Sequence, residues 1–112
     1  MKQFMVLYQA PVSAREMMAN LDPEQARNGM AMWTAWFEKN DDAIVEMGTP
    51  LGDGKRIEPD GTSETQGHAT GYSIVQADSL DEVTAMLRGH PHFQTPGDVS
   101  IEVFEFLPAP GS

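Results

Sequence analysis

His68-Ala69-Thr70-Gly71-Tyr72-Ser73-Ile74-Val75-Gln76-Ala77 runs straight into Asp78-Ser79-Leu80-Asp81-Glu82, and this junction of strand and helix start decides the fold. In the first part Thr70, Tyr72, Ile74 and Gln76 point one way while Gly71, Ser73, Val75 and Ala77 point the other, the period of a strand. In the second, Ser79 is followed three residues later by Glu82, the capping-box pattern that opens a helix. Val83, Met86 and Leu87 supply that helix with an apolar face, and Gly89 is expected to stop it.

Upstream, Lys2 to Tyr8 is an apolar run rich in strand-forming residues and reads as a strand buried on both faces. Pro11 ends it, and residues 13–20 have the makings of a short helical turn. Asp22-Pro23-Glu24-Gln25 is a second helix start, with Asp22 as cap, proline at the first helical position and Gln25 able to close the box. Ala26, Met30, Trp33, Phe37 and Ile44 then fall close to one face, so the helix is expected to run from about 23 to the mid-40s, with a break available at Asn40-Asp41-Asp42.

Gly48 to Gly61 is dense in turn signals. Lys55-Arg56-Ile57-Glu58 reads as a short strand, and Thr62 to Gly67 as a polar loop. Downstream, Val99 to Phe106 is a last strand, with Val99, Ile101 and Val103 on one side and Ser100, Glu102, Phe104 and Phe106 on the other.

The order of elements fits an α+β fold, a ferredoxin-like βαββαβ unit whose antiparallel sheet carries its helices on one face. At 112 residues the chain makes one domain, expected over 1–107, with 108–112 as a Pro/Gly tail. The sheet's second face would still carry apolar side chains with nothing to cover them. A homodimer packed sheet to sheet is therefore expected.

Charge and composition exclude several classes. Seventeen acidic residues against seven basic ones leave a net charge of -10, which repels nucleic-acid backbones and anionic membranes. No cysteine is present, so no disulfide frame exists and a reducing compartment fits. The N-terminal apolar run is interrupted by Gln9 and Pro11, short of a signal-peptide core, and no stretch nears the ~18 apolar residues of a membrane span. The expected location is the cytoplasm. No phosphate loop, nucleophile elbow or cofactor motif occurs, so no cofactor is expected.

The residues with the most chemistry are His90 and His92, two of three histidines, flanking Pro91 between the last helix and the last strand. Imidazole titrates near roughly pH 6.5 and serves as acid, base, donor or ligand. The pair is the candidate catalytic site. As an H-x-H metal site it would need a third ligand such as Asp98, Glu102 or His68, and no metal is expected. The plain alternative is a pair that caps the preceding helix. Trp36 and Tyr72 are candidate ligand-binding residues for a cleft between helix and sheet. His68, with Asp60 and Glu64 near in sequence, is a further candidate, and Asp60 is assigned to ligand binding with it. Trp33 reads as core.

Taken in order, several pieces resemble the YCII-related (DGPF) family of small proteins. They are the strand Lys2 to Tyr8, the Trp33/Trp36 helix followed by Gly48 and Leu51, Asp60-Gly61 with Glu64, and Gly71-Tyr72-Ser73-Ile74-Val75. Ser79-Leu80-Asp81-Glu82 follows, and then His90-Pro91-His92 leads into Ile101-Glu102-Val103. The resemblance implies a dimeric α/β barrel of ferredoxin-like protomers. Some members are thought to use a His–Asp pair with an early histidine, but this chain has none before His68. Its Asp60-Gly61 is also followed by Thr62-Ser63 in place of Pro-Phe.

Three functions follow as expectations. One is a protein that binds a small polar or aromatic metabolite between Trp36, Tyr72, His90 and His92. The second is a cofactor-independent isomerase or lyase in which His90 or His92 moves a proton and Tyr72 donates a hydrogen bond. The third is a structural dimer module.

Overall fold

The structure, a computed structural model, describes residues 1–65 and 68–111. In chain order it contains β1 (Lys2–Ala10), α1 (Ala14–Ala19), α2 (Pro23–Lys39), β2 (Ile44–Glu46), β3 (Arg56–Glu58), β4 (Gly61–Ser63), β5 (His68–Ala77), α3 (Leu80–Leu87) and β6 (Ser100–Glu105). Single 3₁₀ turns occupy Asp41–Ala43 and Pro91–Gln94.

Four strands form an antiparallel sheet in the order β2-β5-β1-β6, the ferredoxin-like arrangement with helices on one face. Strand β1 lies between β5 and β6 and alternates strictly. Phe4, Val6, Tyr8 and Ala10 are buried beneath the helices, whereas Met5, Leu7 and Gln9 are only half-covered. The first strand is thus buried on one face, not two, because no second layer covers the other side. Val75 of β5, Trp36 of α2, and Val83 and Leu87 of α3 complete the core.

The helix starts follow from their caps. Asp22 Oδ1 accepts from the Gln25 amide at 2.8 Å and Gln25 Oε1 accepts from the Asp22 amide at 3.1 Å, so two orphan donors are satisfied reciprocally. Ser79 Oγ accepts from the Glu82 amide, but Glu82 reaches back to the Asp78 N–H, one residue before the cap.

Helix α2 stops at Lys39, short of the mid-40s. The backbone N–H and side-chain Nδ2 of Asn40 both donate to the Trp36 carbonyl, at 3.1 and 2.9 Å, ending the helical ladder as asparagine tends to do. Ile44, expected on the helix face, is instead in β2 opposite Val75. The fourth sheet strand is therefore β2, and not the segment around Arg56–Glu58. That segment pairs only with β4, in a separate hairpin turning at Pro59-Asp60. It has no buried face to offer a sheet, since Ile57 is 79% exposed. Part of the expected loop 62–67 is thus strand, and its residues 66–67 lie outside the described residues. Among the described residues no helix is long and apolar enough to cross a membrane.

Two glycines behave differently from each other. Gly89 does not adopt the left-handed cap expected of it. The chain leaves α3 through a tight bond from the His90 amide to the Leu87 carbonyl, and Pro91 holds His90 extended at φ -67°, ψ 139°. Gly48 does occupy the left-handed region, at φ 81°, and an added Cβ would lie 1.7 Å from the Tyr72 carbonyl oxygen. That contact lets residues 47–51 follow β5, with the Leu51 amide donating to Thr70. Gly48→Ala is accordingly expected to destabilise by more than about 2 kcal/mol in urea titrations, and Gly89→Ala, where a Cβ meets nothing, by less than about 0.5 kcal/mol. Equal effects would contradict this account of the turn.

Candidate functional site

Pro91 begins the 3₁₀ turn, and the imidazoles on either side of it are both buried. His90 is 1% exposed and His92 2%. His90 Nδ1 accepts from the His92 amide at 2.9 Å, so it caps the turn that follows it. A nitrogen used as acceptor carries no proton, which places the proton of the neutral ring on Nε2. That Nε2 is buried and has no hydrogen-bond partner among the described residues.

The rings around His90 form an aromatic box. Its centroid lies 4.4 Å from Trp36, 4.5 Å from Trp33 in an edge-on arrangement, and 4.9 Å from Tyr8. Trp33 and Trp36 stand one helical turn apart on α2 and reach the same ring for that reason. Tyr8 packs edge-on to Trp33 at 4.9 Å and lies 5.4 Å from His92. His92 Nε2 donates to the Gln9 carbonyl at 2.9 Å, tying the connection to the end of β1.

Tyr8 is held by a hydroxyl chain. Ser73 Oγ donates to the Met47 carbonyl at 2.7 Å, so the 2.8 Å contact between Tyr8 and Ser73 has the phenol as donor. Burial raises the Tyr8 pKa to about 12, partly offset by the Ser73 bond. Burial likewise pushes His90 down to about 3, with neighbouring His92 adding to the effect. Near neutral pH both groups are uncharged. The box therefore offers one unused hydrogen-bond donor among aromatic faces, and no ready base.

The remaining residues singled out in the sequence lie elsewhere. Trp36 belongs to the box, but Tyr72 pairs with Leu7 on the sheet's open face. There its phenol donates to Glu46, and that bond, with a smaller desolvation effect and the carboxylate's charge, raises its pKa. His68 begins β5 opposite Ala10. Asp60 is exposed in the hairpin turn, and Glu64 is engaged by Lys55 at 3.0 Å. Glu102 faces the open side opposite Leu7. Among the described residues no three His, Asp or Glu side chains come together as a metal site would require. The box adds Tyr8 and the Gln9 carbonyl to the sequence candidates, and gives Trp33 a role beside His90. Tyr8 was detectable only through its place in register with Phe4 and Val6.

No protein-family model matches the chain, and no curated protein matches it. Among solved structures it is similar in fold to 5-chloro-2-hydroxyhydroquinone dehydrochlorinase (TftG) from Burkholderia phenoliruptrix AC1100, in complex with 2,5-dihydroxybenzoquinone. The two share 20% sequence identity and a TM-score of 0.50, with 91% of each chain covered. The likeness is one of fold.

The buried neutral imidazole makes a measurable demand. A ring whose pKa is lower folded than unfolded takes up its proton on unfolding, so its contribution is complete above about pH 6.5 and is lost as pH falls toward 3. Over that window stability should fall by as much as about 1.4 kcal/mol per pH unit from this ring. Urea midpoints measured from pH 7.5 to 4 should decline more steeply for the wild type than for His90→Gln. Parallel declines would remove His90 as the cause.

Proposed function

We propose that the protein is a homodimer that binds a small, flat, oxygen-bearing metabolite in the His90 box. The observation that carries this reading is the partnerless Nε2–H of His90, buried among Tyr8, Trp33 and Trp36. A buried donor without an acceptor is costly, and a ligand oxygen would relieve that cost. The aromatic faces suit a ring, and ring against ring is a favourable packing.

The proposed entry for a ligand is beside α2. That helix buries Trp36 and half-buries Ala26, Gly29, Trp33 and Phe37, leaving Met30 and Met32 exposed. A Cβ built on Gly29, one turn before Trp33, meets no atom within 4 Å, so the helix has open space at that position. The TftG complex supports the idea that such a frame can hold an oxygenated ring. The resemblance to the YCII-related family supports the dimeric barrel. Binding is favoured over acid/base catalysis because His90 Nδ1 is already committed and Nε2 already carries the proton.

The homodimer reading rests on the open sheet face. Met5, Leu7, Tyr72, Ile74 and Phe104 share it through the register of β1 with β5 and β6, and Phe104 is 53% exposed. An apolar sheet face of this kind marks an interaction surface, and a second copy covers it with two-fold symmetry.

Light scattering should give twice the chain mass, and Phe104→Glu should give a folded monomer; a monomeric wild type would overturn the dimer. For the box, calorimetric titration with 2,5-dihydroxybenzoquinone as probe should show saturable binding, weakened about tenfold or more in His90→Phe, which keeps a ring and loses the donor. Equal affinity for the two folded proteins, or no heat from the wild type, would reject the box as the site.

A further inference from the structure

A groove apart from the His90 box lies between α3 and the edge strand β6. Leu87, Ile101 and Val103 form its floor, and Phe93 and Thr84 form its sides. The groove measures about 160 Å³, well below the roughly 300 Å³ at which drug-sized pockets begin, so it admits a ligand of about one ring. Phe93 is 44% exposed there, an aromatic face left to water. The Thr84 hydroxyl donates to the Leu80 carbonyl and offers no donor of its own to a ligand.

Arg88 stands at the lip of the groove. It is one of only seven basic residues in a chain of net charge -10. Lys2, Arg15, Lys55 and Arg56 are each paired with a carboxylate, whereas Arg88, like Arg27 and Lys39, makes no ion pair among the described residues, and of these three it alone lines the groove. An arginine at a helix C-terminus is partly accounted for by the helix dipole. The dipole does not account for the apolar groove and bare aromatic ring beside it. Apolar walls ending at a forked cation match a molecule with an apolar body and a terminal carboxylate, since guanidinium binds carboxylate through two parallel hydrogen bonds.

We propose that the groove between α3 and β6 binds a small aromatic carboxylate, its ring against Phe93, Leu87, Ile101 and Val103 and its carboxylate on Arg88. The site is separate from the His90 box and from the open sheet face. The chain's net charge of -10 opposes the approach of organic anions, so the groove has to hold one through direct contact with Arg88.

Benzoate is the probe, titrated into the isotopically labelled full chain and followed by amide chemical shifts. Saturable shifts are expected at Leu87, Phe93, Ile101 and Val103. Affinity should fall about tenfold or more in Arg88→Gln and for benzyl alcohol, which keeps the ring and loses the charge. Added salt should weaken benzoate and leave benzyl alcohol unchanged. Shifts confined to Tyr8, Trp33 and His90 would move benzoate to the box and overturn the groove, as would no shift at all or an undiminished affinity in Arg88→Gln. A Phe93→Ala protein with halved mass and unchanged benzoate affinity would make the groove a subunit contact, and that also overturns the proposal. None of these results depends on whether a quinone binds the box.

Discussion

Everything in this molecule depends on the two-residue period of β1. Phe4, Val6 and Tyr8 are fully or almost fully buried under the helices, and the residues between them face the other way. The strand is paired on both sides, so its phase is imposed on its neighbours. Val6 sets Ser73 and Val103 beneath the helices, and Tyr8 does the same for Ile101. Leu7 sets Tyr72 and Glu102 on the open face, and Met5 does so for Ile74 and Phe104. A slip of one residue would carry every one of these side chains through the sheet. The separation of a polar box from an open apolar face is thus a property of register.

Within the box, neutrality follows from how each polar group is satisfied. Tyr8 donates to Ser73, Ser73 to Met47, and His92 to Gln9, so three buried groups exchange water for fixed acceptors at little net cost. A charged imidazole would have no counterion here, since no carboxylate is among its partners, and burial of an unpaired charge is far more costly than burial of a neutral ring. His90 differs from its neighbours in having one nitrogen satisfied by its own turn and the other by nothing. Tyr8, Trp33 and Trp36 surround that ring.

Much of the fold was legible in the sequence because its signals are local. Asp22, Pro23 and Gln25 mark the start of α2 by chemistry that acts within one turn, and Ser79 marks α3 the same way. The failures involve choices made by distant residues. Ile44 fits the apolar stripe of α2 by spacing, yet Asn40 ends the helix and β5 offers Ile44 a ladder, which no local pattern reveals. Ile57 looks like a sheet strand, yet its segment pairs only with β4 and buries no face. His90 and Trp36, both candidates by sequence, do lie ring to ring. Tyr72 was grouped with them although its alternation with Ser73, visible in the sequence, sends it to the opposite face once Ser73 is known to bind Tyr8. The inward direction of the imidazoles could not be read at all, since it depends on a tertiary bond to Gln9.

The two faces of the sheet are joined at one irregularity. Between Tyr8 and Gln9 the pairing with β5 shifts, and Thr70 becomes the extra residue. Bulges of this kind bend a strand and re-aim its groups. Here the Thr70 hydroxyl donates to the Tyr8 carbonyl at 3.1 Å, filling a bond that the ladder has lost, and the next carbonyl along β1 is the one that receives His92. Gly71 packs beside it: a Cβ there would sit 3.5 Å from the Tyr8 ring and 3.4 Å from the Thr49 carbonyl, ordinary van der Waals contacts. One step further, Tyr72 emerges on the open face and binds Glu46. Three consecutive residues of β5 thus repair the ladder, pack the box and present a phenol to the opposite surface. The open face and the imidazole connection meet at the same short stretch of backbone, with Tyr72 on one side of the sheet and the Gln9 carbonyl that receives His92 close by on β1.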